Sequence, residues 1–433
     1  MTEYWFEVPL DYENLSGNTL HIFARSAELI DTPIQPWSNK SRQLPWLLFL
    51  QGGPGAGCAP VRQGSWISFF LEKGYKILLM DQRGAGLSST ITAENLVNQG
   101  NPAMQAHYLT QFRADNIVRD AEAIRKMLLK DYPDKKWSVL GQSFGGFCSL
   151  HYLSFYPDSL REVFNTGGMA PMLANPDALY ERLLRKTIEM NELYYTKFPE
   201  DIGRVHRLIN YLEIHQCQTS DGETLTPHRI QNLGMLLICP SGWETLHNLL
   251  LRANYELVAG GTLLRPTISL IEDQVPFDRT ILYAILHEAC YLSGAGTFSN
   301  WSAEQALTVN LAFDIRSTPP DEPIMLTAEI ITHDTFTSYK SLRPLLPAAE
   351  IIAAYDQWPD LYDDEQLARN EVPVYAAIYV DDLAVDFEYA MQRAKGLGNC
   401  KVYVTNRSWH GGLRDDTEEV LGALFRLRDD VMA

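Results

Sequence analysis

The chain carries one arrangement with the marks of covalent chemistry: Gly141-Gln142-Ser143-Phe144-Gly145, a Gly-x-Ser-x-Gly pattern. Taken bare, three fixed positions in five describe a glycine-rich turn as readily as a nucleophile. The setting decides between them. The apolar run Trp137-Ser-Val-Leu140 leads in, and Phe147-Cys-Ser-Leu-His-Tyr-Leu153 continues with helical character, so Ser143 is expected on a sharp turn between strand and helix. Such a turn needs neighbours without Cβ atoms, so that the backbone can fold tightly and present Oγ at the edge of a sheet. The N–H of Phe144, opening the following helix, then points to where a carbonyl oxygen becomes negative.

A serine hydroxyl is a poor nucleophile at neutral pH. It needs an imidazole to take its proton and a carboxylate to orient that imidazole. For a serine on this kind of turn, the order along the chain is Ser, then Asp or Glu, then His. Of the ten histidines, His410 stands in a glycine-flanked loop after the last expected strand, whereas His151, His247 and His287 fall within helical patterns that suit core or surface positions. Asp382 lies just beyond the preceding strand and is the expected orienting acid. Asp381 is the reserve, and Glu329 is a third candidate whose more ordinary role is a loop or cap acid. Gln51-Gly-Gly-Pro-Gly55 follows an apolar strand, and the amide of Gly53 or Gly52 can supply a second oxyanion donor.

These residues must be carried on a sheet. Strands are expected at 4–8, 19–25, 44–50 and 75–80, and an amphipathic helix over 112–130 feeds the strand before Ser143. Strand, helix and strand in succession imply a parallel crossover. Asp81-Gln-Arg-Gly84 directly after an apolar strand is expected to brace the Gln51–Gly55 loop, with Asp81 and Arg83 as a structural pair. Residues 171–318 are dominated by helical periodicity and read as an inserted cap. Strands return at 323–330, 372–380 and 400–405, with helix and linker over 344–361 and a closing helix over 416–431. The organisation expected is an α/β core over 1–170 and 319–433, with a mostly parallel sheet and a helical cap between the two parts.

The formal charge of −18, from 36 basic and 54 acidic residues, argues against nucleic acid or an anionic membrane as main partner. The six cysteines are scattered, and no Cys and His cluster has zinc-ligand spacing, which suggests reduced thiols in an intracellular setting. The N-terminus carries acids where a secretory signal has a basic patch and an apolar run, and no stretch is long enough to span a bilayer. A cytoplasmic enzyme is expected, with chemistry that requires no metal or cofactor.

With Gln51-Gly-Gly-Pro-Gly55, Asp81-Gln-Arg-Gly84, Gly141-Gln-Ser-Phe-Gly-Gly146, Asp382 and His410 in view, the sequence resembles the proline iminopeptidases, serine peptidases of the α/β-hydrolase fold. The resemblance runs over nearly the whole chain, including Val8-Pro-Leu-Asp-Tyr12 and the cap, and is closest to the larger members of the family. One departure is Gln51, where many relatives have His; because backbone amides bind the oxyanion, this departure is expected to adjust the loop without abolishing catalysis. The resemblance implies removal of an N-terminal residue, preferably proline, from peptides. It also implies cap acids that receive the free α-ammonium, and Glu288 and then Glu244 are the best matches; as ordinary helix glutamates they would instead be solvated. Two other readings keep the same residues: an esterase or amidase on small acyl substrates, and a hydrolase-fold binding protein without catalysis. An epoxide hydrolase would place Asp at position 143.

Overall fold

The computed structural model describes residues 1–29, 44–61, 65–173 and 175–430. Apolar runs bounded by glycine and charged residues become the strands of one sheet: β1 (Thr2–Pro9), β2 (Thr19–Ala27), β3 (Trp46–Leu50), β4 (Lys76–Met80), β5 (Trp137–Gln142), β6 (Leu160–Thr166), β7 (Val374–Tyr379) and β8 (Cys400–Thr405). Their spatial order is β1-β2-β4-β3-β5-β6-β7-β8. β1 and β2 form an antiparallel pair and β2 joins β4 antiparallel, while every pairing from β4 to β8 is parallel. β3, β5 and β7 are buried along their whole length, as expected where both faces are covered. On one face, Phe70, Phe164 and Phe425 pack ring against ring with centroids 5.2–5.5 Å apart. On the other, Leu48, Val139, Val163 and Ala376 meet helices Ala114–Leu128 and Phe144–Phe155 through Ile117, Ala121, Phe147 and Leu150.

Two expectations are corrected, and one strand is added. Residues 323–330 form no strand. Ile324, Leu326, Ala328 and Ile330 are buried in alternation, which is why the segment reads as a strand, but its amides go to helices: Leu326 N–H donates to Asn191 Oδ1 and Thr327 N–H to the Gln231 carbonyl, both at 2.9 Å. Among the described residues, the stretch from Gly167 to Pro373 adds helices and loops but no strand to the sheet. Conversely, β6 carries Arg161, Glu162 and Asn165 and gives little apolar signal. The Glu162 carboxylate is satisfied at Oε1 by Tyr75 O–H at 2.7 Å and Ser138 O–H at 2.9 Å.

Asp81 and Arg83, expected as a pair, have separate partners. Asp81 accepts from the backbone N–H of Cys58 at 2.7 Å and of Leu87 at 2.8 Å, while Arg83 makes a two-pronged contact with Asp120 at 2.6 and 2.8 Å. Arg83 also donates to the carbonyls of Pro9, Leu10 and Gln111, and Tyr12 O–H donates to Asp120 at 2.8 Å. Both charged side chains are essentially unexposed. Asp120→Ala is therefore expected to destabilise the fold by about 3–5 kcal/mol in urea unfolding, because a buried guanidinium is left unpaired. Replacing Arg83 as well, with methionine, is expected to recover part of that loss.

Candidate active site

The C-terminal ends of the parallel strands share one rim of the sheet, and the expected residues follow those ends directly. Ser143 sits between β5 and helix Phe144–Phe155 with φ 55° and ψ −127°, a conformation that L residues avoid and that a tight turn imposes. The flanking glycines are required by contact. A Cβ on Gly145 would lie 1.9 Å from the Leu50 carbonyl oxygen, and one on Gly141 would lie 2.5 Å from the Gly145 oxygen.

His410, in the loop after β8, has Nε2 2.9 Å from Ser143 Oγ and Nδ1 2.9 Å from Asp382 Oδ2. Asp382, in the loop after β7, has its other oxygen, Oδ1, held by the N–H groups of Ala384 at 2.8 Å and Val385 at 2.9 Å. Burial works against a charged His410, but the Asp382 carboxylate and, at longer range, Glu329 outweigh it, so the imidazole titrates above its ordinary value. The reserve acid, Asp381, is turned away and pairs with Lys186 at 2.8 Å.

A small, tight cavity lies over the serine. Gly53, Phe144, Phe147, Tyr291, Val385 and Glu329 are among the residues lining it. Gly52 is equally near: a Cβ there would stand 3.0 Å from Ser143 Cβ. The Gln51–Gly53 turn is tied down from two sides. Gln82 Nε2 donates to the Gln51 carbonyl at 2.9 Å, and Arg414, four residues after His410, donates to Gln51 Oε1 and Gln142 Oε1, both at 3.2 Å. Gln51 thus accepts from a guanidinium. The Arg414 side chain ties the loop after β3 and the end of β5 to the segment that carries His410. Helix Pro240–Gly260 touches the same region through Trp243, whose ring lies 5.2 Å from that of Trp409.

The acids expected to meet an ammonium group are placed differently. Glu244 is half-exposed and paired with Lys197 at 2.6 Å. Glu288 accepts from Ala303 N–H at 2.9 Å, and it lines a neighbouring cavity with Ser299 and Trp301 instead of the one over Ser143. Burial raises the Glu288 carboxyl above its usual value despite its hydrogen bonds. The acid that does line the serine's cavity is Glu329, considered from the sequence only as a rival orienting acid. Its Oε1 accepts from Tyr283 O–H at 2.7 Å, and its Oε2 lies 3.5 Å from His287 Nε2. Burial pushes the Glu329 carboxyl up, but His287, His410 and the Tyr283 hydroxyl outweigh this and hold it below the usual value. The carboxylate is therefore ionised at neutral pH. The signal for it was faint: a single acid inside the buried run Ile324 to Ile331.

Among the described residues, no group of three or more His, Cys, Asp or Glu side chains is placed to hold a metal ion. No helix among them is long and apolar enough to cross a membrane.

The family described as the alpha/beta hydrolase fold matches residues 45–207. The proline iminopeptidase aneH of Aspergillus aculeatus is 40% identical over 431 residues, covering 99% of this chain and 94% of the relative. A proline iminopeptidase of Aeromonas sobria is 40% identical over 430 residues, covering 99% of this chain and 96% of the relative. A shorter likeness, 33% over 121 residues, links 28% of the chain to 32% of a proline iminopeptidase of Neisseria gonorrhoeae.

Proposed function

Because the chain belongs to the proline iminopeptidase family, on the α/β-hydrolase fold, we propose that it releases an N-terminal residue, preferably proline, from peptides through an acyl-enzyme at Ser143. Ser143 Oγ attacks the carbonyl carbon of the first residue while His410 Nε2 takes its proton. Asp382 stays ionised and stabilises the imidazolium. The N–H groups of Phe144 and Gly53 receive the oxyanion. His410 then returns the proton to the leaving amine nitrogen, the C–N bond breaks, and a prolyl ester remains on the serine. Water, deprotonated by the same imidazole, hydrolyses that ester and restores the hydroxyl. The peptide substrate, the reduced cysteines and a cytoplasmic location form one consistent reading, supported by six cysteines that are all free.

The observation that carries the exopeptidase reading is the placement of the Glu329 carboxyl in the same cavity as the nucleophile. A free α-ammonium is the natural partner of a buried carboxylate, since the contact is charge-assisted and shielded from water. The ring of an N-terminal proline would lie against the apolar walls formed by Phe144, Phe147, Tyr291 and Val385.

The test compares a prolyl amide with its N-acetyl form. Blocking the amine removes the cation, and kcat/KM is expected to fall by about 10²-fold or more, the scale of a lost hydrogen bond to a charged group plus an unpaired buried carboxylate. Glu329→Gln is expected to remove most of the preference for the free amine. Equal turnover of blocked and free substrates would instead indicate an esterase or amidase acting on small acyl groups.

A further inference from the structure

Glu329 is not alone at the end of the cavity. The buried imidazole of His287 lines the same space, with Nε2 3.5 Å from Glu329 Oε2 and Nδ1 3.3 Å from Tyr180 Oη. Because Nε2 faces a carboxylate, it carries a proton. In the neutral ring Nδ1 is then the acceptor, and Tyr180 O–H donates to it. The groups facing His287 are Tyr180 from helix Asp177–Lys197, Tyr283, Glu288 and Tyr291 from its own segment, Glu329, and Ser143 and His410 across the cavity. Burial pushes the Tyr180 and Tyr291 phenols well up, so both remain uncharged donors.

We propose that His287 is a positioning residue for the substrate's amino group: it holds Glu329 as a neutral donor and must stay uncharged for that carboxylate to receive the ammonium. The inference rests on the reading of Glu329 given above. With a neutral imidazole, the end of the cavity has one negative charge, and a bound ammonium neutralises it. With an imidazolium, Glu329 is already paired, and an incoming ammonium becomes an extra buried cation. Protonation of His287 therefore competes with substrate for one carboxylate, and it acts on amine binding, not on the acyl-transfer steps.

The experiment measures inhibition by prolinol, a cation of the right shape that has no scissile carbonyl, between about pH 5 and 8, the range in which histidine changes charge. In the wild type its inhibition is expected to weaken as pH falls, because a positive imidazole in the cavity opposes a bound ammonium. In His287→Gln only the His410 contribution remains, so the loss across this range is expected to be about tenfold smaller. Tyr180→Phe keeps the imidazole but removes the proton aimed at Nδ1, so the weakening is expected to begin at higher pH. This second variant keeps the test decisive if the first folds poorly. Cyclopentylmethanol, the neutral analogue, should show no pH dependence in any form. Equal pH dependence in the wild type and His287→Gln, or no displacement in Tyr180→Phe, overturns the role of His287 while leaving amine recognition standing. Failure of prolinol to compete with a prolyl amide at any pH overturns the amine-binding reading and this inference with it.

Discussion

Ser143→Ala is expected to lower kcat for a prolyl amide by about 10⁴- to 10⁶-fold, the range seen when a triad nucleophile is removed and only the oxyanion donors and binding remain. KM should change little, because Oγ makes no contact that holds the ground-state substrate. The fold should also persist. The turn at 143 is kept by backbone contacts that alanine retains: Ser143 N–H donates to the Thr166 carbonyl at 3.1 Å, and the Ser143 carbonyl accepts from Gly146 N–H at 2.7 Å. The side chain's contribution is the single contact with His410. Thermal unfolding of the variant should therefore stay close to wild type while single-turnover chemistry disappears. Retention of kcat within about tenfold of wild type would remove Ser143 from the mechanism.

Asp382→Asn is expected to cost about 10⁴-fold in kcat, and the geometry gives the reason. The Oδ1 of Asp382 accepts from two backbone amides, of Ala384 and Val385, so an asparagine must keep its oxygen there and turn its NH₂ toward His410. His410 Nδ1 then has to accept, the ring proton moves to Nε2, and Nε2 can no longer take the proton of Ser143 Oγ. The pH profile should move as well. In the wild type Asp382 helps to hold the imidazole above its ordinary value against burial, so base catalysis appears only as pH rises through that raised value. Without the carboxylate the same burial favours the neutral ring, and the acid limb of kcat/KM should shift to lower pH as its height falls. A variant with the wild-type limb would show that another acid supplies the charge. Asp381 is a poor candidate, being engaged with Lys186.

What could be read from the chain follows from how locally each feature is determined. Ser143 is marked by its own neighbours, since the turn needs Gly141 and Gly145 within two residues. Asp382 and His410 are marked by standing immediately after strands, and the structure brings all three within hydrogen-bonding distance. The amine-binding end is not local in this way. Glu288 and Glu244 stand out as acids with apolar neighbours, but the direction of a helix side chain depends on how the helices pack: one carboxylate meets the Ala303 amide and the other Lys197. Glu329 comes from an extended segment whose alternation imitates a strand and whose amides are satisfied by helix groups far away in sequence. His287 shows only a helical pattern around it, and its meaning depends on Tyr180, more than a hundred residues earlier. β6 was obscured by Glu162, a carboxylate that is tolerable in a buried strand because Tyr75 and Ser138 both donate to it.

The measurement that tests the central claim most directly is mass spectrometry of the enzyme quenched in acid during turnover of an activated prolyl ester. One prolyl group is expected, carried on the peptide that contains Ser143, with far less acylation when the same ester bears an N-acetyl group. A prolyl adduct on any other residue, or turnover with Ser143 unmodified throughout, would contradict it.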